Sequence, residues 1–141
     1  MNKNYQLEAK LISLKMNRSD GNSIYDDDMI LQISGVKIKG LELYLILDVL
    51  DDNWSLYTTE RIVIKNDNKI IEIFLRNIKK IDIYYNSIRI NIKCNIKKKI
   101  IVVNAMSIMS IYESLYCIYN FHSKLDILNF STFPGVFRGH K

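Results

Sequence analysis

Residues 55–83 read SLYTTERIVIKNDNKIIEIFLRNIKKIDI, and the reading of this stretch decides the fold. Two strand-like runs flank a polar turn, and each carries one apolar face. Residues 54–65 form the first run, Asn66-Asp67-Asn68 the turn, and Ile71, Ile73 and Leu75 then alternate with Glu72, Phe74 and Arg76. Period two is the signature of a pleated strand with one face turned to a core. A turn of two or three polar residues allows only antiparallel pairing, since a parallel crossover needs a dozen residues or more.

The pattern extends in both directions. LELYLILDVL at 41–50 places Leu41, Leu43, Leu45, Leu47 and Val49 in one phase and Glu42, Tyr44, Ile46 and Asp48 in the other, with the second face partly covered. Asp51-Asp52-Asn53 turns the chain. Beyond a strand around Ile81 and Ile83, the residues Ile88, Ile90, Ile92, Cys94 and Ile96 alternate with Arg89, Asn91, Lys93 and Asn95, and KKKIIVV closes the meander. Ile, Val and Tyr suit half-buried pleated surfaces.

At Asn104 the period changes to that of a helix. Asn104 is the expected N-cap. Ile108, Ile111, Leu115 and Ile118 then share a face over residues 105–122, with Tyr112 and Tyr119 alongside. HSKLDILNF extends that helix or adds a short second one, and STFPGVFRGHK reads as a tail. Upstream, residues 5–15 alternate as strand. NRSDGNS at 17–23 is a loop, and MILQISGVKIKG at 29–40 reads as strand with a bulge or turn at Gly35. The expected organisation is one domain over 1–141: N-terminal strands or an appendage over 1–39, a β-meander over 40–103, a helix over 104–122 and an extension over 123–141. The expected fold class is α+β, mainly β: a curved antiparallel sheet or partly open barrel closed by one C-terminal helix.

Composition narrows the function classes. The 141 residues are 48% hydrophobic and 25% charged, with one Pro and five Gly, so a buried core is affordable and a linker-rich chain is excluded. The net charge of +5 is uneven. Residues 1–60 hold six basic and ten acidic side chains, and residues 61–141 hold fourteen and five. Cys94 and Cys117 read as small buried hydrophobes in a reducing compartment. The N-terminus lacks an apolar signal core, and no apolar run reaches membrane-span length, so a cytoplasmic protein is expected.

The stretch LYTTERIVI at 56–64 resembles a phrase of bacterial pleckstrin-homology-like and GRAM-type domains. There a strand ends in Thr, a polar residue and Arg before an aliphatic run opens the next; Thr58, Thr59, Arg61, Ile62, Val63 and Ile64 occupy those positions. The segments IEIFLRNIKKIDI, SIRINIKCNI, KKKIIVV and NAMSIMSIYESLYCIYN follow in the family's order, so the resemblance covers about residues 40–120. It implies a pleckstrin-homology-like scaffold that binds proteins or anionic lipid headgroups. The profile of a small chain without reaction chemistry is also similar to that of immunity proteins, which implies a cognate toxin domain as partner, its active site masked.

Catalytic constellations are sparse. No Gly-rich phosphate loop is present, and Cys94, Cys117 and His122 lack metal-ligand spacing, so neither a cofactor nor a metal is expected. A small enzyme using Cys117 and His122 is the third reading, weakened by the oily helix around the thiol. Two charged groups are the binding candidates. Asp26, Asp27, Asp28, Asp48, Asp51 and Asp52 form an acidic set suited to a basic protein surface. Arg89, Lys93, Lys97, Lys98 and Lys99 form a basic set suited to an anionic membrane, with Arg89 and Lys93 expected in one outward row. Only Tyr84 and Tyr85 lie near these basic residues, which argues against stacked nucleic-acid bases.

Overall fold

The computed structural model describes residues 25–94 and 99–129, with Ala9 alone ahead of them. Two four-stranded sheets and one main helix build the molecule. The first sheet is an antiparallel meander of β1 (Tyr44–Leu50), β2 (Asn53–Thr58), β3 (Arg61–Asn66) and β4 (Lys69–Phe74). The second runs in the order β7-β6-β5-β8, from β5 (Ile78–Ile83), β6 (Ser87–Ile92), β7 (Lys99–Asn104) and the two-residue β8 (Leu128–Asn129). The pairs β5–β6 and β6–β7 are antiparallel, and β8 joins β5 in parallel. The main helix lies between β7 and β8 in the chain, at Ile108–Phe121. The sheets do not close into a barrel.

One core holds the sheets and this helix together. Ile62, Ile64 and Ile73 from the first sheet, Ile81, Ile83, Ile88 and Ile90 from the second, and Ile111, Leu115 and Ile118 from the helix are all buried in it. Each such side chain contributes roughly 1.5–3 kcal/mol by leaving water. The helical stripe expected from sequence is therefore the face that meets the sheets, while Met109 and Tyr116 point outward.

A second, smaller core lies on the first sheet's other face. Helix α1 (Asp27–Ser34) buries Ile30 there against Tyr44, Leu47, Trp54, Leu56 and Val63. The expected strand at 29–40 is thus corrected to a helix that ends where Gly35 takes a left-handed φ of 71°. Asp26 caps its start, accepting from the Met29 N–H at 2.8 Å. Asp27 and Asp28 fill the first turn, where acidic residues complement the helix dipole. Of the expected strand at 5–15 only Ala9 is described, and it is helical; the rest lies outside the described residues. The main helix is α2 hereafter.

Two bulges break strict alternation. In β1 the register slips between Tyr44 and Ile46, so Leu45 and Ile46 both enter the large core while Tyr44 and Leu47 face α1. Leu43, Leu45, Leu47 and Val49 therefore do not share one face, and Leu41 stays 74% exposed. In β5 the slip between Ile78 and Lys80 turns Lys79 and Lys80 outward together. A bulge of this kind adds one residue to one strand and reverses the phase beyond it.

The start of α2 is also corrected. Asn104 ends β7, and the N-cap position is Ser107, whose side chain makes no capping bond. Asp48 from β1 supplies the acceptor instead: its carboxylate takes the Met106 N–H at 3.1 Å and the Ser107 N–H at 2.6 Å. After α2, a 3-10 turn at Leu125–Ile127 leads into β8, in place of a second helix. No helix among the described residues is long and apolar enough to cross a membrane.

Candidate functional site

The two hairpins of the first sheet reach the same end of it. Asp51-Asp52 joins β1 to β2, and Asp67-Asn68 joins β3 to β4, each as a two-residue turn. The first residue of each turn is left-handed, Asp51 at φ 56° and Asp67 at φ 58°. Aspartate tolerates that region better than most residues because its short polar side chain bonds locally. The turns are tied to each other. Asn53 accepts the Asp67 N–H at 2.8 Å, and the Lys65 amine donates to the Asp52 carbonyl at 2.7 Å. The result is a preformed depression lined by Asp51, Asp52, Asn53, Lys65, Asp67 and Asn68.

The expected acidic set divides three ways. Asp51 and Asp52 stand at this tip with Asp67, a neighbour that linear proximity did not reveal. Asp26, Asp27 and Asp28 belong to the start of α1 and do not line the tip. Asp48 is corrected: at 1% exposure it is withdrawn from the surface, its carboxylate committed to α2.

The basic set also separates. Arg89 lies on the outer face of β6 with its guanidinium 5.1 Å from the Tyr84 ring centroid, opposite Asp82 on one side and Val102 on the other. Lys93 follows the end of β6 at Ile92, is exposed like Arg89, and lines a recess at an end of the large core. Cys94, expected to be buried, is exposed just past the strand end. Lys99 opens β7 and is exposed; Lys97 and Lys98 lie outside the described residues.

That recess holds about 230 Å³. Its polar rim is Glu60 from the β2–β3 turn, Arg76 from the 3-10 turn Leu75–Asn77, Lys93, His122 and Lys124. Its apolar wall is Leu75, Ile78, Ile118 and Ile127. Tyr119 completes it; this residue is 3% exposed, and its hydroxyl is buried without a hydrogen-bond partner. Burial pushes the phenol well above its ordinary range, so it stays a protonated donor. The end of α2 fixes the geometry. Lys124 N–H donates to the Tyr119 carbonyl and Ser123 N–H to that of Asn120, the paired bonds of a Schellman motif, with Ser123 left-handed at φ 57°. Cys117 does not line the recess that His122 lines. Five residues on a helix turn through about 140°, which separates the two side chains.

A third polar cluster sits at the β2–β3 turn. Glu42 is 5% exposed and accepts from Arg61 Nε at 2.8 Å, Arg61 Nη2 at 3.1 Å and the Thr58 hydroxyl at 2.5 Å. Arg61 also reaches Glu72 at 2.5 Å and the Lys37 carbonyl at 2.8 Å. Thr58 Oγ1 accepts the Glu60 and Arg61 N–H groups. Its inward ties make this cluster the clasp of the turn. Burial raises the Glu42 pKa, but the bonds from Arg61, Thr58 and the Lys39 backbone outweigh it and hold the carboxyl below its ordinary value.

Among the described residues no group of three or more His, Cys, Asp and Glu is placed to hold a metal ion. Compared with protein-family models, curated proteins and solved structures, the chain matches none.

Proposed function

We propose that the chain is a non-catalytic binding module that docks a partner protein and covers a basic functional surface on it, in the manner of an immunity protein masking its toxin. The observation that carries this reading is the acidic tip. Two hairpin turns of one sheet set Asp51, Asp52 and Asp67 side by side, and two cross-turn hydrogen bonds fix them. A preformed patch with an excess of negative charge, three carboxylates against Lys65, meets its partner with little ordering cost, and complementary charge raises the association rate. The scaffold supports the same reading. A four-strand meander, a three-strand meander and a helix packed into the common core follow the element order of pleckstrin-homology-like modules, many of which bind proteins. The positions behind that resemblance, Thr58 and Arg61, form the clasp at the β2–β3 turn, so they maintain the fold and leave the docking surface to the loops.

The test is co-expression with any toxic product encoded beside the chain's own gene, followed by calorimetric titration of the two purified proteins. The expected result is rescue of growth and a one-to-one complex. A variant carrying Asp51→Asn, Asp52→Lys and Asp67→Asn should weaken the complex about a hundredfold. Asparagine at 51 and 67 keeps the left-handed turns intact, so a change in affinity reports charge and not unfolding. An unchanged affinity in that variant, or no complex at all, would sink the proposal.

A further inference from the structure

We propose that the recess at the end of α2 is a binding site for a phosphate monoester, separate from the acidic tip and independent of it. Three cationic residues from distant parts of the chain line it: Arg76, Lys93 and Lys124. Among the described residues none of them is ion-paired; the salt bridges there involve Arg61 and Lys80. Arg76 is positioned by the Phe74 ring, 4.6 Å from its guanidinium carbon, which leaves its N–H donors for an occupant. Glu60 is the one carboxylate among the lining residues, against the three cations Arg76, Lys93 and Lys124. A phosphate monoester near neutral pH carries about two negative charges and three strong acceptor oxygens.

The Tyr119 hydroxyl is the second, independent sign. A buried hydroxyl without a partner is destabilising, and native structures keep such groups mainly where something else satisfies them. Tyr119 itself lines the basic recess, so a small turn of its ring would bring the hydroxyl to an occupant. The neighbouring apolar wall of Leu75, Ile78, Ile118 and Ile127 suits a short hydrocarbon or ring attached to the phosphate, and 230 Å³ has room for little more. Burying that substituent is favourable because its apolar surface leaves water. The site therefore selects a monoester with a small apolar group over inorganic phosphate. The phosphate is carried either by a soluble molecule or by a lipid headgroup, which share this chemistry.

Calorimetric titration of the full chain with phenyl phosphate and with inorganic phosphate at low salt tests the site, alongside sedimentation with vesicles containing phosphatidic acid. The expected result is saturable one-to-one binding, with phenyl phosphate tighter. Arg76→Glu and Lys124→Glu should each weaken it about tenfold or more, whereas Arg89→Glu, on the outer face of β6, should not. Tyr119→Phe should weaken it by about threefold to tenfold without lowering the melting temperature of the free protein, because it removes an orphaned hydroxyl. Vesicle binding lost in Lys124→Glu, with no phenyl phosphate binding, would assign the phosphate to a lipid headgroup. Absence of binding in both arms overturns the proposal, as does binding that Arg89→Glu weakens as much as Lys124→Glu. Neither result bears on the acidic tip.

Discussion

Asp48 on β1 caps helix α2: its Oδ1 lies 2.6 Å from the Ser107 nitrogen and both its oxygens 3.1 Å from that of Met106, 58 residues further along the chain. The first N–H groups of a helix have no partner within it, and the helix dipole favours a negative charge there. Ser107 sits at the cap position without using its own side chain. One buried carboxylate thus joins the first sheet to α2 and satisfies donors that would otherwise be stranded.

Asp48→Ala is accordingly expected to cost about 2–3 kcal/mol, combining a lost cap with buried unpartnered N–H groups. Asp48→Asn keeps one acceptor oxygen and is expected to cost about half as much. Urea titration followed by far-ultraviolet dichroism measures both. A loss below about 0.5 kcal/mol for the alanine variant would show that α2 starts without this carboxylate.

The clasp at the β2–β3 turn makes stability depend on pH. Glu42 is held below its ordinary value near 4.5 in the folded chain, so its contribution is complete above that value and is lost as the pH falls through the lower folded one. Glu42→Gln removes the titrating group and leaves the Arg61 charge with Glu72 and the Lys37 carbonyl. It should cost about 2–3 kcal/mol at neutral pH. The gap to the wild type should then narrow on acidification from roughly pH 6 to roughly pH 3. A gap that stays constant across that range would remove Glu42 from the acid response.

Much of this architecture was legible in the residues. Strands β1 to β7 and the buried face of α2 follow from period-two and period-3.6 spacing, because a half-buried element must repeat its apolar residues with its own geometry. The bulge in β5 was not read from the sequence, although Ile78-Lys79-Lys80-Ile81 places two polar residues where alternation allows one. Helix α1 carried its own signals, Asp26 with two further acids at the start and Gly35 at the stop, yet its short apolar run also fits a strand. What could not be read depends on long-range placement. Asp48 looks like any outward acid of an alternating strand until the β1 bulge turns it toward α2. Asp67 joins Asp51 only because two hairpins end at one edge. Arg76 and Lys124 line one recess although they stand 48 positions apart in the chain, and no spacing rule links them.

The end of α2 offers a stabilising substitution. Ser123 holds a φ of 57° at the left-handed position of its Schellman motif, where a Cβ is disfavoured. Glycine occupies that conformation freely, at some entropic cost in the unfolded chain. Ser123→Gly should therefore raise stability by about 0.5–1 kcal/mol. Thermal melting checks this, and a lowered midpoint would mean that the serine side chain contributes more than its backbone strain removes.

Asp82 performs a comparable service on the outer face of the second sheet. Its two oxygens accept from Asn91 on β6 at 3.3 Å and Asn129 on β8 at 3.0 Å, and the Lys80 amine lies 3.5 Å away. Strand β8 pairs with β5 over only two positions, and this side-chain bond adds to that pairing. Elements with so few contacts open locally at low free energy. Asp82→Ala should cost no more than about 1 kcal/mol globally, since the Asn91 and Asn129 amides can turn to water. Locally the effect should be larger: amide exchange at Leu128 and Asn129 should accelerate about tenfold while that of Ile118, in the middle of the core, is unchanged. Equal acceleration at both places would mean that β8 opens only with the whole fold, and that its apolar neighbours Leu125 and Ile127, packed on the large core, secure it instead.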